Sequence, residues 1–257
     1  MRNYLIIVEG AHDIALFEKV LRINGVDRKI TNENDLPDVW KHTIPSRYPF
    51  NGDTLDRITP IPSFLKNADV SVAIKNAGSD IEIMDVLCQT LQLMEYEEID
   101  QIDGIMLSCD ADQLSADEKR KKLLNIDEDK YDYELDVKTM MLGTKINKIP
   151  IFTYIFPDNI NSGNLENLLL QSAEVEYPEL LEFATDYVEK ASDICRLLKK
   201  EQNAKKAKVG CIANAMKPGK ANQVSISDND WVSNRTINEC MMLKALDELI
   251  KKMITTV

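Results

Sequence analysis

The sequence has few of the residues that a zinc-binding or disulfide-rich protein needs. Its 257 residues include only five cysteines and two histidines. There is no Cys-x-x-Cys pair and no histidine at ligand spacing from a cysteine, which argues against a zinc ribbon or finger. The cysteines are therefore expected to be reduced thiols; they are Cys88, Cys109, Cys195, Cys211 and Cys240.

Positive charge is also scarce. Lys and Arg total 31 against 43 Asp and Glu, which gives a net charge of −12 and a pI near 4.8. A protein that coats nucleic acid through overall basicity is excluded, because the phosphate backbone favours Lys and Arg. A metal-dependent enzyme is not excluded, since bound cations and one local basic patch can meet phosphates.

Long apolar runs are missing as well. The run Tyr4–Val8 is far too short for a signal peptide or a membrane span, and no later stretch approaches about 18 apolar residues. We therefore expect a cytoplasmic protein that does not contact a membrane. The 44% apolar content is enough for one sizeable core.

Four apolar runs separated by helical patterns predict an α/β fold. The runs are residues 3–8, 70–74, 102–109 and 149–156. Strands that alternate with helices favour a parallel sheet with right-handed crossovers. We expect about four parallel strands flanked by helices, with residues 28–66 as an irregular, proline-containing insertion.

The pattern changes after residue 173. We predict a metal-binding domain over residues 1–173 and a mainly helical extension over 174–257, packed on the same domain. Within the extension we expect a loop-rich patch with Gly210, Pro218 and Gly219, preceded by Lys205, Lys206 and Lys208, and a closing helix over 236–253. Residues 196–220 carry eight basic residues against one acid, an asymmetry that stands out in so acidic a chain.

Carboxylates follow three of the predicted strands. Glu9, Asp110 and Asp158 lie where these strands end, and ligands of parallel α/β sheets bind beyond the carboxyl ends of the strands. If the first and third strands are neighbours, their carboxylates converge and repel one another unless a cation is present. Oxygen donors of this kind favour Mg²⁺ or Mn²⁺.

The two acidic clusters resemble the signature motifs of the Toprim superfamily. These are Val8-Glu9-Gly10-x-x-Asp13 after the first strand and Asp110-x-Asp112 after a later one. The superfamily includes primases, topoisomerases and the nucleases related to the overcoming-lysogenization-defect proteins. The resemblance spans about residues 3–170 and implies a Toprim-like, Rossmann-like sheet.

The resemblance also implies roles for individual residues. Glu9 would be a general acid or base that also binds metal, and Asp110 with Asp112 would hold Mg²⁺. In the nuclease branch, Asp13 would bind a second metal ion. An alternative for Glu9 and Asp13 is that they cap the first helix.

A weaker similarity, to small uncharacterised bacterial Toprim-like proteins, covers Phe156–Asn159 and Ser162–Glu166. We name Asp158 and Glu166 as candidates for a second metal or its surroundings, although turn and helix-start chemistry explains both equally well. Four lysines are candidate phosphate contacts or ordinary surface residues: Lys75, Lys205, Lys206 and Lys208. We expect His12 to be a solvated loop residue and Asp103 to be structural.

These residues together favour Mg²⁺-dependent phosphodiester chemistry on nucleic acid, DNA or RNA, by a Toprim nuclease with one or two metal ions. The chain has no room for a topoisomerase gate and no zinc module of a primase. It has no Gly-x-x-x-x-Gly-Lys-[Ser/Thr] motif, so any ATPase, as in some phage-defence systems, would be a partner chain. The oligomeric state is left open, a homodimer included.

Three alternatives stay open. A non-catalytic Toprim-like module could bind a nucleotide or metal for regulation or assembly. A nucleotide-sugar transferase would use Asp110 and Asp112 but leaves Glu9 without a role. A haloacid-dehalogenase-type phosphatase carries a nucleophilic Asp after its first strand, where this chain has Glu9.

Overall fold

A six-stranded sheet with strand order β2-β3-β4-β1-β5-β6 forms the centre of the computed structural model, which describes residues 1–44, 61–124 and 149–255. The four strands β4, β1, β5 and β6 are parallel, and β2 and β3 add an antiparallel edge. The strands are β1 (Arg2–Val8), β2 (Arg28–Ile30), β3 (Ser63–Lys66), β4 (Val70–Asn76), β5 (Ile102–Asp110) and β6 (Ile151–Phe156).

Helices connect the parallel strands and form the C-terminal part. In the described residues, four precede β6: α1 (Ala11–Ile23), α2 (Ile83–Leu93), α3 (Tyr96–Ile99) and α4 (Ala116–Leu123). Six follow it: α5 (Leu165–Glu176), α6 (Pro178–Ser192), α7 (Glu201–Met216), α8 (Asn222–Asp228), α9 (Asn234–Glu239) and α10 (Met241–Thr255). Short 3₁₀ segments lie at Glu33–Asp35, Asp38–Thr43 and Arg196–Lys199. No helix in the described part of the chain is long and apolar enough to cross a membrane.

Two apolar layers cover the two faces of the sheet, because alternate residues of β1 point to opposite sides. Tyr4, Ile6 and Val8 pack with α1, α5 and the C-terminal helices. Leu5 and Ile7 pack with α2, α4 and the 3₁₀ segment that carries Trp40. The nearly continuous apolar sequence of β1 follows from this burial on both faces.

The four parallel strands confirm the predicted fold class, but the expected count of about four strands is too low. The region 28–66, expected to be irregular, supplies β2 and β3. Both strands have three or four residues, too few to show a period-2 pattern. Within this region, residues 45–60 lie outside the described residues, as do residues 125–148 after α4.

The C-terminal extension shares its core with the sheet. Leu246 and Ile250 of α10 belong to the same buried cluster as Val8 and Phe17, and the Tyr154 hydroxyl on β6 donates to the Met242 carbonyl at 2.9 Å. Two local predictions for this region are wrong. Lys205 to Gly210 lie within helix α7 instead of a loop, although Pro218 and Gly219 do lie between α7 and α8. The expected closing helix is broken at Cys240 into α9 and α10.

Candidate functional site

The carboxyl ends of three adjacent strands bring acidic side chains together. Glu9 follows β1, Asp110 is the last residue of β5, and Asp80 lies four residues after β4. The Asp110 N–H donates to Glu9 Oε2 at 3.4 Å. Burial raises the pKa of Glu9, and the charges of Asp80 and Asp112 raise it further. The first and third predicted strands, β1 and β5, are therefore neighbours in the sheet.

Asp13 caps the first helix and also faces the other carboxylates. Its Oδ2 accepts a hydrogen bond from the Gly10 N–H at 2.6 Å, so the capping interpretation holds for this residue. Burial raises its pKa to about 7, assisted by the charges of Glu9 and Glu166. A capping carboxylate is normally stabilised as an anion, but burial and the neighbouring carboxylates outweigh that stabilisation here.

Asp110 is largely buried and lies among the other carboxylates of the site. Burial raises its pKa to about 8, and the charges of Asp13, Glu9 and Glu166 add to this effect. The Leu165 N–H donates to Asp110 Oδ1 at 2.8 Å, which fixes the carboxylate against the first turn of α5. Loops 55 residues apart in sequence thus meet at this side chain.

Asp112 lies in a strained turn that a second loop holds in place. Its φ is +56°, a left-handed conformation that Asp tolerates better than most residues. The Asp112 N–H donates to the Gly163 carbonyl at 2.7 Å. Gln202 Nε2 of α7 donates to Asp112 Oδ1 at 3.2 Å. The half-exposed side chain of Asp112 therefore lies at the mouth of the site, next to the C-terminal extension.

A buried ion pair completes this side of the site. Lys119 Nζ of α4 lies 2.6 Å from Asp80 Oδ2 and 3.9 Å from Asp112 Oδ2. Sequence reasoning missed both residues, because Lys119 stands in a highly charged segment and Asp80 stands in a turn before a helix. The available signal for Asp80 was its position after a predicted strand, the criterion that found Glu9 and Asp110.

Glu166 lies on the opposite side of the cluster, in the first turn of α5. It is buried, and among the described residues its Oε2 has no hydrogen-bond partner. Burial raises its pKa, whereas the charges of Lys206 and Lys205 lower it. Lys205 Nζ is held by Glu201 Oε1 at 2.7 Å. The structure thus brings Glu166, Lys205 and Lys206 into the electrostatic neighbourhood of the carboxylates.

Other predicted site residues lie elsewhere or have structural partners. Asp158 accepts from the Ile160 and Asn161 N–H groups at 3.0 and 2.7 Å, which is turn chemistry. Lys75 is buried on the α2 face and donates to Thr90 Oγ1 at 2.9 Å, so its ammonium group is engaged inside the protein. Lys208 lies further along α7, and among the described residues it has no contact with the carboxylates of the site.

The two residues expected to lack a site role also have defined positions. Asp103 Oδ2 accepts from the Asn3 N–H at 2.7 Å, which agrees with a structural role at the start of β5. His12 is half-buried instead of solvated, and burial lowers its pKa, with a smaller effect of the same sign from the Lys206 charge.

The donor set suits a hard cation in chemistry, while the present arrangement does not form a complete coordination shell. In the described residues, no three Asp, Glu, His or Cys side chains are placed as ligands of a single metal ion. A divalent cation would neutralise carboxylates that raise one another's pKa. It would also give a partner to the buried Glu166 oxygen, which has none among the described residues. All of these donors are oxygens, the type that Mg²⁺ and Mn²⁺ prefer.

Fold and site together define the class: an α/β protein with a mostly parallel sheet and an acidic site at its carboxyl edge. A family profile described as "Protein of unknown function (DUF3226)" matches residues 3–246. The chain therefore belongs to this family. No curated protein matches the sequence.

A solved structure supports the fold. The crystal structure of hypothetical protein PH0156 from Pyrococcus horikoshii OT3 superposes with a TM-score of 0.52 and 16% sequence identity. The alignment covers 97% of this chain and 100% of the other. Because the identity is so low, the likeness concerns the fold alone. It includes the C-terminal helices as well as the sheet.

Proposed function

We propose that this protein is a Toprim-like, Mg²⁺- or Mn²⁺-dependent phosphodiesterase that acts on nucleic acid, in the simplest case a nuclease. The observation that carries the proposal is the convergence of Glu9, Asp13, Asp110 and Glu166 from three separate segments. Burial, together with the charges of Asp13, Glu9 and Glu166, raises the pKa of Asp110 to about 8. Buried like charges destabilise a fold, so a functional requirement is the simplest reason for their presence.

Two groups of residues would hold metal. Glu9, Asp110 and Asp112 would bind the first ion, and Asp13 with Glu166 would contribute to a second. A divalent ion at such a site supplies charge neutralisation for a phosphodiester and lowers the pKa of bound water. The role of Asp158 as a ligand is not supported by its turn hydrogen bonds.

Side chains of this protein would perform the remaining tasks. The raised pKa of Glu9 brings its carboxyl group closer to the pH at which it can exchange a proton with a reacting group. Lys206, exposed on α7 and close enough to Glu166 to lower its pKa, would contact a phosphate next to the site. Lys119 would limit the repulsion around Asp112.

The test is a cleavage assay with Mg²⁺ or Mn²⁺ on plasmid DNA, single-stranded DNA and RNA. We expect divalent-dependent cleavage by the wild type and a loss of at least about a hundredfold in Asp110→Asn. Asp158→Asn is the matched control, because it removes an equal charge from the turn after β6, and it should retain activity. No cleavage of any substrate by the wild type would refute the proposal.

A second candidate function has one observation in its favour. Since no three acidic side chains are placed around one ion in the described residues, the site could serve as a non-catalytic metal- or nucleotide-binding module. Calorimetric titration with Mg²⁺, Mn²⁺ and nucleotides separates the two functions. Binding without cleavage, with affinity lost in Asp110→Asn, would identify the module.

A further inference from the structure

An exposed apolar tip separates helices α6 and α7. It consists of residues 193–200, which we call the 193–200 segment. Ile194 is 90% exposed and Leu197 is 66% exposed. Single exposed aliphatic residues are common on protein surfaces, but Ile194 and Leu197 are only three residues apart in the chain. Two such side chains together form a small apolar surface that a partner can cover.

The same segment is basic. Arg196, Lys199 and Lys200 are exposed, and Asp193 is its single acid. Among the described residues, none forms an ion pair with these three cations, whereas nearby Lys190 and Lys205 are paired with Asp186 and Glu201. In a chain with a net charge of −12, three unpaired cations around an apolar tip fit an anionic partner with apolar surface.

The segment is connected rigidly to the candidate site. Asn203 Nδ2 of α7 donates to the Leu197 carbonyl at 2.9 Å. The neighbouring Gln202 donates to Asp112 Oδ1 at 3.2 Å. Lys200 precedes Gln202 by two residues, so their Cα atoms are at most about 7.6 Å apart. An extended anion bound at the segment would therefore reach the carboxylate site.

We propose that the 193–200 segment binds single-stranded nucleic acid and leads the strand to the site. Arg196, Lys199 and Lys200 contact successive phosphates, and Ile194 and Leu197 pack against unpaired bases. The path continues over Lys206 to the carboxylates. This inference rests on the proposed function, because it assigns the substrate class of the same site.

Unpaired bases fit the apolar tip better than a duplex does. In a duplex the apolar faces of the bases are stacked on each other, and inserting an aliphatic side chain first requires unstacking, which costs free energy. In a single strand these faces are accessible to protein side chains. A membrane surface or a protein could also cover the apolar side chains of the segment, but neither explains why the segment is connected to Asp112.

Binding is measured by fluorescence anisotropy with labelled DNA and RNA strands of about 20 nucleotides, longer than the site of one binding fold, and with the corresponding duplexes. EDTA prevents cleavage during the titration, and a second series contains Mg²⁺. The wild type should bind single strands more tightly than duplexes. Ile194→Ser/Leu197→Ser should bind single strands about tenfold more weakly, since the apolar area covered by the bases is lost.

The charge contribution has a separate readout. Lys199→Gln/Lys200→Gln should lower the dependence of log affinity on log salt by about 1.4, because each phosphate contact on a single strand contributes about 0.7. Lys220→Gln/Lys244→Gln removes the same charge from exposed positions outside the segment and should leave the slope unchanged. Met241→Ser, at a residue 76% exposed, is the apolar control.

The outcomes separate this inference from the proposed function. Equal single-strand affinities of the wild type and Ile194→Ser/Leu197→Ser overturn the inference and leave the segment to a protein or a membrane, even if the enzyme cleaves. Absence of single-strand binding in EDTA and in Mg²⁺ overturns it as well. Segment-dependent binding without any cleavage supports the inference and refutes the nuclease.

Discussion

The buried carboxylates of the site lead to a quantitative prediction of how the free energy of unfolding depends on pH. The pKa of Asp110 is raised from 3.8 to about 8, first by burial and then by the charges of Asp13 and Glu9. Between these two values the folded protein holds a proton on Asp110 that the unfolded chain has released. The stability that this proton provides is complete below about pH 3.8, falls as the pH rises and is gone above about pH 8.

The magnitude follows from the size of the shift. Each unit corresponds to about 1.4 kcal/mol, so the interval from about pH 5 to about pH 8 gives at most about 4 kcal/mol for this residue. Water at the partly exposed Asp110 reduces this value. In Asp110→Asn, the amide oxygen can still accept from the Leu165 N–H but does not titrate. We therefore expect the free energy of unfolding of the variant, relative to that of the wild type, to rise by about 2–4 kcal/mol between about pH 5 and about pH 8.

The assay is urea unfolding of both proteins in EDTA at several pH values, followed by fluorescence of the buried Trp40 and Trp231. The difference between the two proteins removes the contribution of carboxylates that they share. If their free energies of unfolding change in parallel from about pH 5 to about pH 8, the pKa of Asp110 is not raised and the reasoning fails. Adding Mg²⁺ at a hundred times its Kd should stabilise the wild type by about 2.7 kcal/mol.

Two further predictions concern buried polar contacts. Asp80→Asn should weaken Mn²⁺ binding about tenfold, or about 1.4 kcal/mol, because Lys119 then pairs with Asp112. Calorimetry should show that the affinity recovers in Asp80→Asn/Lys119→Met. An unchanged affinity in the single variant would contradict this prediction. Ser71→Ala should lower the free energy of unfolding by about 1–3 kcal/mol. The buried Trp40 Nε1–H donates to Ser71 Oγ at 2.9 Å and loses this acceptor in the variant. A free energy of urea unfolding within about 0.5 kcal/mol of the wild type would refute the prediction.

The central sheet was predictable because its strands are buried on both faces. β1 and β5 are nearly uninterrupted apolar runs, and the acidic residues that follow them mark the edge where parallel strands end. This simple rule placed Glu9 and Asp110 together. Their raised pKa values could not be derived from the sequence, since they depend on how deeply the loops are covered.

Features that depend on distant contacts were not predictable. Lys119 belongs to a strongly charged helix, and its burial is decided by Asp80, 39 residues earlier. Gly210 was expected in a loop-rich patch, yet α7 continues through it. Alanines such as Ala204 and Ala213 favour the helix locally, and packing against α5 and α8 compensates for the glycine.

The joint between Asp112 and Gln202 has a consequence for the order in which the protein matures. A nascent chain that has emerged only as far as residue 173 possesses Glu9, Asp110 and Asp112, but it lacks α7, and Val8 and Phe17 lack their contacts with α10. The sheet face under the acidic loops is then covered by α1 and most of α5, but not by α10. Such a partly synthesised chain also lacks the hydrogen bond from Gln202 to Asp112, so we expect its acidic loops to be less firmly held than those of the full chain.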